Sequence, residues 1–262
     1  MMPSAPSAWH TGLAIARLTL LEALRNRLLW LLILAAALGV ALAGFLNQLA
    51  LTESRQLQAA LLAALLRLAA VFLVATFVVT SMVRELNDKG LELLLALPVP
   101  RYVYLLGKLA GFAALAVLPA LLFGALAAWL AAPEQALLWA ASLLCELWIV
   151  AAFGLLCMLT LDQVLPALAA AGAFYLLARL IAPLQLLGHG GNARHSALDR
   201  ILGADLDGVA LLLPHLDGFT RTEWLLYQTG SAAALGAIAM QSAIFIVLLT
   251  ALALFDLYRK NV

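Results

Sequence analysis

The stretch that decides the fold is residues 136–160, which read ALLWAASLLCELWIVAAFGLLCMLT. It contains one charged residue, Glu146, and it is longer than the about 20 apolar residues that a helix needs to cross a bilayer. A transmembrane β-strand needs only about 10 residues and alternates apolar with polar positions, unlike this continuous run. Since lipid leaves only helices and closed barrels as spanning structures, the stretch predicts a transmembrane helix.

Five further runs of this kind occur along the chain. The composition agrees with a lipid environment, because 66% of the 262 residues are hydrophobic and 11% are charged, whereas soluble domains carry about 25% charged residues. We therefore expect an all-α polytopic membrane protein that forms one transmembrane domain over residues 1–262. Its six transmembrane helices are predicted near residues 28–46, 58–83, 104–131, 136–160, 165–187 and 231–256.

Lysine and arginine residues in the short flanks predict the orientation, because cytoplasmic flanks carry an excess of them. With the amino terminus inside, the cytoplasmic set is Arg17, Arg25, Arg27, Arg84, Lys89, Arg101, Lys108, Arg259 and Lys260. The outer set is smaller and consists of Arg55, Arg194, Arg200 and Arg221. We expect a bacterial inner-membrane protein with both termini in the cytoplasm, and a net charge of +1 gives no reason to expect a nucleic-acid partner.

Two short helices are predicted outside the spans on the cytoplasmic side. Residues 9–27 predict a helix in the inner membrane surface, because apolar residues recur at helical spacing at Leu13, Ala16, Leu20 and Leu24. The alternative is a plain extension of the first span. Residues 91–97 predict an apolar helix that is too short to span and is stopped by Pro98 and Pro100. Its apolar surface needs a cover, either the membrane surface or another protein.

The longest outer segment, residues 188–230, lies between spans five and six. Its residues Thr220 to Glu223 match the capping-box pattern of a helix start. Trp224 and Tyr227 follow, and such residues are typical of the aromatic belt at the membrane–water interface. We expect short amphipathic helices that rest on the outer surface.

Three charged residues lie inside spans and away from the span ends: Arg67, Glu146 and Arg179. Each lies eight to ten residues inward from the outer end of its span, which places it about 12–15 Å below the outer surface. A lone charge near the bilayer centre costs several kcal/mol. The hypothesis is that Glu146 pairs with one of the arginines. The alternative is that the side chains of both arginines extend to the membrane–water interface and that Glu146 is protonated.

Two other groups of residues have simple structural interpretations. Gly107 and Gly111 form a G-x-x-x-G pattern, which predicts close helix packing in span three. The outer histidines match no metal-ligand spacing, and we expect no metal site at His189, His195 and His215.

The region between spans two and three contains, in order, Arg84-Glu85, Gly90-Leu91-Glu92-Leu93, Leu97-Pro98-Val99, Arg101 and Gly107-Lys108. This series resembles the corresponding region of ABC-2 type permeases, with a Gly-to-Glu spacing one residue shorter than is typical. A second stretch, Leu213 to Phe219, is similar to a Leu-Pro-x-Leu-Asp-x-Phe element. That element occurs in permeases grouped with multicopper-enzyme maturation, including the nitrous-oxide reductase maturation permease.

The resemblance implies a function as the permease subunit of an ATP-driven exporter. Two permease chains would pair, in the simplest case as a homodimer, and two copies of a cytoplasmic ABC ATPase would dock on them. The coupling residues implied are Arg84, Glu85, Gly90, Glu92, Leu93, Leu94, Leu97, Pro98 and Arg101. This chain would be no enzyme and would bind no cofactor, since it has no phosphate-binding P-loop, so ATP and Mg²⁺ would bind to the partner ATPase.

One alternative from a different class stays open. A permease-like subunit could transport nothing and instead pass ATPase motion to a periplasmic accessory protein, with residues 188–230 as the docking platform. A secondary carrier is less consistent with the sequence, because inverted repeats and paired broken helices would be expected and neither is visible.

Overall fold

The computed structural model describes residues 8–25, 27–49, 54–87, 100–189 and 208–259, except positions 209 and 211. Among these residues, every assigned element is helical. The principal helices are α1 (Ala8–Arg25), α2 (Leu28–Leu49), α3 (Ser54–Asn87), α4 (Arg101–Leu130), α5 (Pro133–Leu161), α6 (Val164–His189), α7 (Thr222–Tyr227) and α8 (Ala232–Arg259). A 3₁₀ turn at Leu216–Gly218 precedes α7.

Helix α5 lies at the centre of the bundle and contacts α3, α4, α6 and α8. In its most apolar stretch 72% of the residues are buried, against 22% in α8, so α5 is covered by protein while α8 mostly faces outward. Helices α4 and α5 approach closely, because a Cβ atom on Gly124 would lie 2.5 Å from the Cβ of Ala140. This central position brings Glu146 into the interior.

The predicted all-helical membrane fold is confirmed. Helices α3, α4, α5, α6 and α8 are each long and apolar enough to cross a membrane. A sixth span results if Trp9–Arg25 and Trp30–Leu42, which meet at a bend of 56°, are counted together as one broken span. The helix ends lie within a few residues of the predicted ones, because the lengths of the apolar runs determine them. The location of α1 in the membrane surface stays a prediction.

The outer segment around Phe219 packs into the bundle, which corrects one expectation. The side chains of Leu216, Phe219 and Trp224 are buried and belong to the hydrophobic core, whereas Tyr227 is exposed. The expectation that Trp224 faces the membrane interface is therefore wrong, because its side chain packs against protein, whereas the location of the segment at the outer surface stays a prediction. The physical reason is that the segment is apolar on more than one side, and burial removes that surface from water.

The capping-box prediction is also wrong. Helix α7 begins at Thr222 with Arg221 as its N-cap residue, and no side chain caps it. Thr220 instead has a φ of 45° and turns its side chain toward the bundle interior. A long-range hydrogen bond thus replaces the local one that the pattern predicted.

Candidate functional site

A polar cluster centred on Glu146 occupies the interior of the bundle. Glu146 is completely buried, and its carboxylate accepts hydrogen bonds from two hydroxyl groups. The Tyr175 hydroxyl donates to Oε1 at 2.9 Å, and the Thr220 hydroxyl donates to Oε2 at 2.8 Å. Nη1 of Arg179 lies 3.6 Å from Oε1. Of the two arginines considered from the sequence, Arg179 is thus the one within ion-pair distance of Glu146.

Helical spacing explains how these side chains meet. Ser142 and Glu146 are four residues apart on α5, and Tyr175 and Arg179 are four residues apart on α6. Residues at this spacing lie on the same helix face. Because α5 and α6 contact each other, the two faces are brought together. Ser142 and Tyr175 were missed from the sequence, although their spacing from the predicted charged residues could have revealed them.

The third side of the cluster is the segment around Thr220, which was also missed. The Thr220 amide donates to Oγ of Ser142 at 2.9 Å. Nη1 of Arg179 donates to the carbonyl of Leu216, to the carbonyl of Phe219 at 3.0 Å and to the Thr220 hydroxyl at 3.3 Å. Thr220 and Ser142 are completely buried. The hydrogen bonds therefore satisfy backbone groups that would be costly to bury without partners.

The backbone of Thr220 is strained, and the cluster compensates for it. A β-branched residue at a positive φ is a steric outlier, and such residues cost about 1–3 kcal/mol. Its amide and hydroxyl both form hydrogen bonds inside the protein. A second contact fixes the end of the segment, because Gln135 on α5 accepts from the Gly230 amide at 3.0 Å and donates to its carbonyl at 3.3 Å. The outer segment is thus attached to α5 at two positions, near Gln135 and near Ser142 and Glu146.

Arg67 on α3 is the remaining intramembrane charge of the predicted set. It is partly buried, and its Nε has no hydrogen-bond partner within the part of the chain that the structure describes. Helix α3 contacts both α5 and α6, which carry Glu146 and Arg179. The three predicted intramembrane charges therefore lie on helices that contact one another, and an ion pair joins Glu146 and Arg179.

The residues that flank the predicted coupling helix are held by contacts between helices. Nζ of Lys108 on α4 lies 2.5 Å from Oε2 of Glu85 on α3, and both side chains are largely buried. Arg101 donates from Nη1 to the carbonyl of Leu257 on α8 at 2.8 Å. Its guanidinium also lies 5.7 Å from the ring centre of Tyr258, within cation–π range. Helices α3, α4 and α8 are therefore connected at this end of the bundle.

The remaining predicted coupling residues lie either near the end of α3 or outside the described residues. Arg84 is exposed near the end of α3. The rest lie outside the described residues, namely Gly90, Glu92, Leu93, Leu94, Leu97 and Pro98. The structure therefore describes both sides of the predicted coupling helix, and the helix itself stays a prediction.

Gly107 and Gly111 lie where α4 packs on α1. A Cβ atom on Gly107 would come within 2.9 Å of the Gly12 carbonyl oxygen. On Gly111 it would come within 2.7 Å of the Thr19 Cβ. Contacts below 3.0 Å require a neighbour to move, so this approach of the two helices depends on the absence of side chains.

Of the three outer histidines, His215 is exposed, the His189 side chain is not described and His195 lies outside the described residues. Within the described part of the chain, no three His, Cys, Asp or Glu residues are grouped as metal ligands would be.

Comparison with known proteins gives the family. Residues 46–184 match the family model described as "ABC-2 family transporter protein", and this range is more than half of the chain. It includes Glu146, Arg179 and the residues on both sides of the predicted coupling helix. No curated protein shows a significant match. The chain therefore belongs to the ABC-2 transporter family, as a multi-pass membrane permease subunit that works with an ATPase subunit.

Proposed function

We propose that this permease subunit exports its substrate and that residues 88–99 dock on the cytoplasmic ATPase as a coupling helix. Two copies of the chain would form the path, each with one ATPase, and ATP and Mg²⁺ would bind to the ATPase alone. The chain would lie in a bacterial inner membrane with both termini in the cytoplasm. The excess of basic residues in the flanks assigned to the inside supports this orientation.

The observation that carries the proposal is the attachment on both sides of residues 88–99. On the entry side, Glu85 forms an ion pair with Lys108, so the end of α3 is held against α4. On the exit side, Arg101 binds carbonyl groups at the end of α8. A displacement of the segment between these two anchors would therefore move three long helices together. That is the property a coupling element needs.

The docking role can be tested with Leu97→Glu in the tagged full-length chain. A carboxylate in an apolar contact would lose its hydration without gaining a partner, so ATPase binding should fall at least about tenfold. The measurement is co-purification from native membranes, with the ATPase identified by mass spectrometry from its phosphate-binding P-loop.

The matched control for this test is Leu212→Glu, because Leu212 is exposed and is assigned to the opposite side of the membrane. Both variants must reach the membrane in equal amount. If Leu97→Glu retained the ATPase as well as Leu212→Glu does, residues 88–99 would not be the docking element.

A second candidate function is favoured by the outer segment. Its residues around Thr220 are bonded to Glu146 in the interior of α5, so motion of the helices would reach the outer surface directly. This attachment suits a subunit that passes ATPase motion to a periplasmic partner. The purified complex in vesicles distinguishes the two functions. Stimulation of ATP hydrolysis by the small-molecule fraction of a cytoplasmic extract favours export, whereas stimulation only by the protein fraction of a periplasmic extract favours motion transfer.

A further inference from the structure

A groove of about 610 Å³ lies between the end of α1 and the end of α3. Its lining residues on α1 are Leu18, Leu21, Glu22 and Arg25, and α3 contributes Arg84. The α1 residues follow the spacing of one helix face. The groove is distinct from the polar cluster around Glu146. It combines two leucine side chains with two guanidinium groups and one carboxylate.

The two arginines of the groove are exposed, and neither forms an ion pair with a described residue. Among the residues that the structure describes, the two neighbouring acids are already engaged. Glu22 accepts a hydrogen bond from the buried Ser81 at 2.9 Å, which also holds α1 against α3, and Glu85 is paired with Lys108. The described lining therefore carries two guanidinium groups and one carboxylate, a net positive charge, and both guanidinium groups are available to an anion.

We propose that this groove binds the headgroup of an anionic phospholipid from the cytoplasmic leaflet. Guanidinium groups bind phosphate oxygens with paired hydrogen bonds, which suits Arg25 and Arg84. The exposed side chains of Leu18 and Leu21 continue the groove as an apolar surface on which an acyl chain can lie. Charge complementarity and this adjoining apolar surface together select a lipid over a free anion. The inference rests on the proposed orientation, which assigns this end of α1 and α3 to the cytoplasmic leaflet.

The positions of the two arginines at the ends of their helices support the choice of an anionic phospholipid as the ligand. Arg25 is the last residue of α1, and Arg84 lies in the last turn of α3. Helix ends at this level meet lipid headgroups, and basic pockets between transmembrane helices on the cytoplasmic side suit anionic headgroups. Bound lipid would bridge α1 and α3 beside the residues that flank the predicted coupling helix.

The test uses the purified full chain in detergent and native mass spectrometry with two probes, phosphatidylglycerol and phosphatidylcholine. Each basic residue near an anionic headgroup contributes about 1 kcal/mol, so two of them should favour phosphatidylglycerol by about thirtyfold in Kd. The double variant Arg25→Gln with Arg84→Gln should lose this preference. The charge-matched control, Arg17→Gln with Arg259→Gln, removes two exposed cytoplasmic arginines outside the groove and should keep it.

Several outcomes would overturn the proposal. These are equal Kd values for the two lipids in the wild type, a preference that survives in the groove variant, and an equal loss in the control variant. Glycerol 3-phosphate binding as tightly as phosphatidylglycerol would exclude a lipid as the ligand. If the glutamine variant does not fold, Arg25→Lys with Arg84→Lys replaces it. That variant keeps the charge but loses the paired hydrogen bonds, and it should show a reduced preference.

Discussion

Glu146 accepts hydrogen bonds from Tyr175 and Thr220, which belong to different parts of the chain. A carboxylate at this depth costs several kcal/mol unless its lone pairs and its charge are satisfied. Both oxygens have a hydroxyl partner, and Arg179 supplies the opposite charge on the same side. The residue therefore acts as a junction between α5, α6 and the outer segment. Substitution of Glu146 should therefore weaken the attachment of all three to one another.

We expect Glu146→Gln to destabilise the protein by about 1–3 kcal/mol, because it removes the charge opposite Arg179 and leaves one hydroxyl without its acceptor. The measurement is thermal unfolding in detergent followed by tryptophan fluorescence. The control is Glu134→Gln, an exposed acid in the first turn of the same helix, which should leave the unfolding temperature unchanged. An equal unfolding temperature for wild type and Glu146→Gln would contradict the structural role of the cluster.

Two substitutions of Thr220 distinguish how its hydroxyl group and its strained backbone each contribute to the free energy of unfolding. Thr220→Val keeps the β-branched shape but loses the bond to Glu146, so it should lower the free energy of unfolding by about 1–2 kcal/mol. Thr220→Ser keeps the hydroxyl and lessens crowding at the positive φ, so it should match the wild type or exceed it slightly. Denaturant titration of both variants tests the pair. If valine and serine had the same effect, the hydroxyl would contribute nothing.

At the scale of elements, α1 is held to α4 by a contact with no room for side chains. Gly111→Ala places a Cβ within 2.7 Å of Thr19 and 2.9 Å of the Ala16 carbonyl oxygen. Because a backbone oxygen cannot move aside, we expect the free energy of unfolding to fall by about 1–3 kcal/mol, measured as a lower unfolding temperature.

Gly172→Ala in α6 is the matched control. Its Cβ would meet no atom within 4 Å, so higher helix propensity should leave stability unchanged or raised by up to about 1 kcal/mol. Equal effects of both changes would mean that this packing is not tight.

The elements themselves were largely predictable from the sequence, because a transmembrane helix is determined by a local property, the length of an apolar run. The environment of Thr220 was not predictable from the sequence. Its partner Glu146 lies 74 residues away, and the local capping-box pattern competes as an explanation. Trp224 was misplaced for a similar reason, since the sequence shows an aromatic residue near a span but not the core into which it folds.

At the scale of the whole molecule, fixed contacts near both ends of the bundle connect the helices. On the side of residues 88–99, the contacts are Glu85 with Lys108 and Arg101 with Leu257. Toward the other end of the bundle, the cluster around Glu146 holds the segment that contains Thr220. Helix α5 contacts α3, α4 and α8 as well as this segment, so it lies between the two sets of contacts. A rigid displacement at one end would therefore be passed to the other through packed helices.

A charge exchange tests whether the contact between Glu85 and Lys108 transmits this motion. Glu85→Lys places two cations together in a largely buried site, and Lys108→Glu does the same with two anions, so each should separate α3 from α4 and lower coupled ATP hydrolysis by about tenfold. The double variant restores opposite charges and should recover part of the activity. The measurement is the ATPase rate of the purified complex in vesicles, normalised to the ATPase that co-purifies. Unchanged co-purification in the single variants would show that coupling, rather than docking, is lost. If the double variant were no more active than either single one, the ion pair would not be the connection.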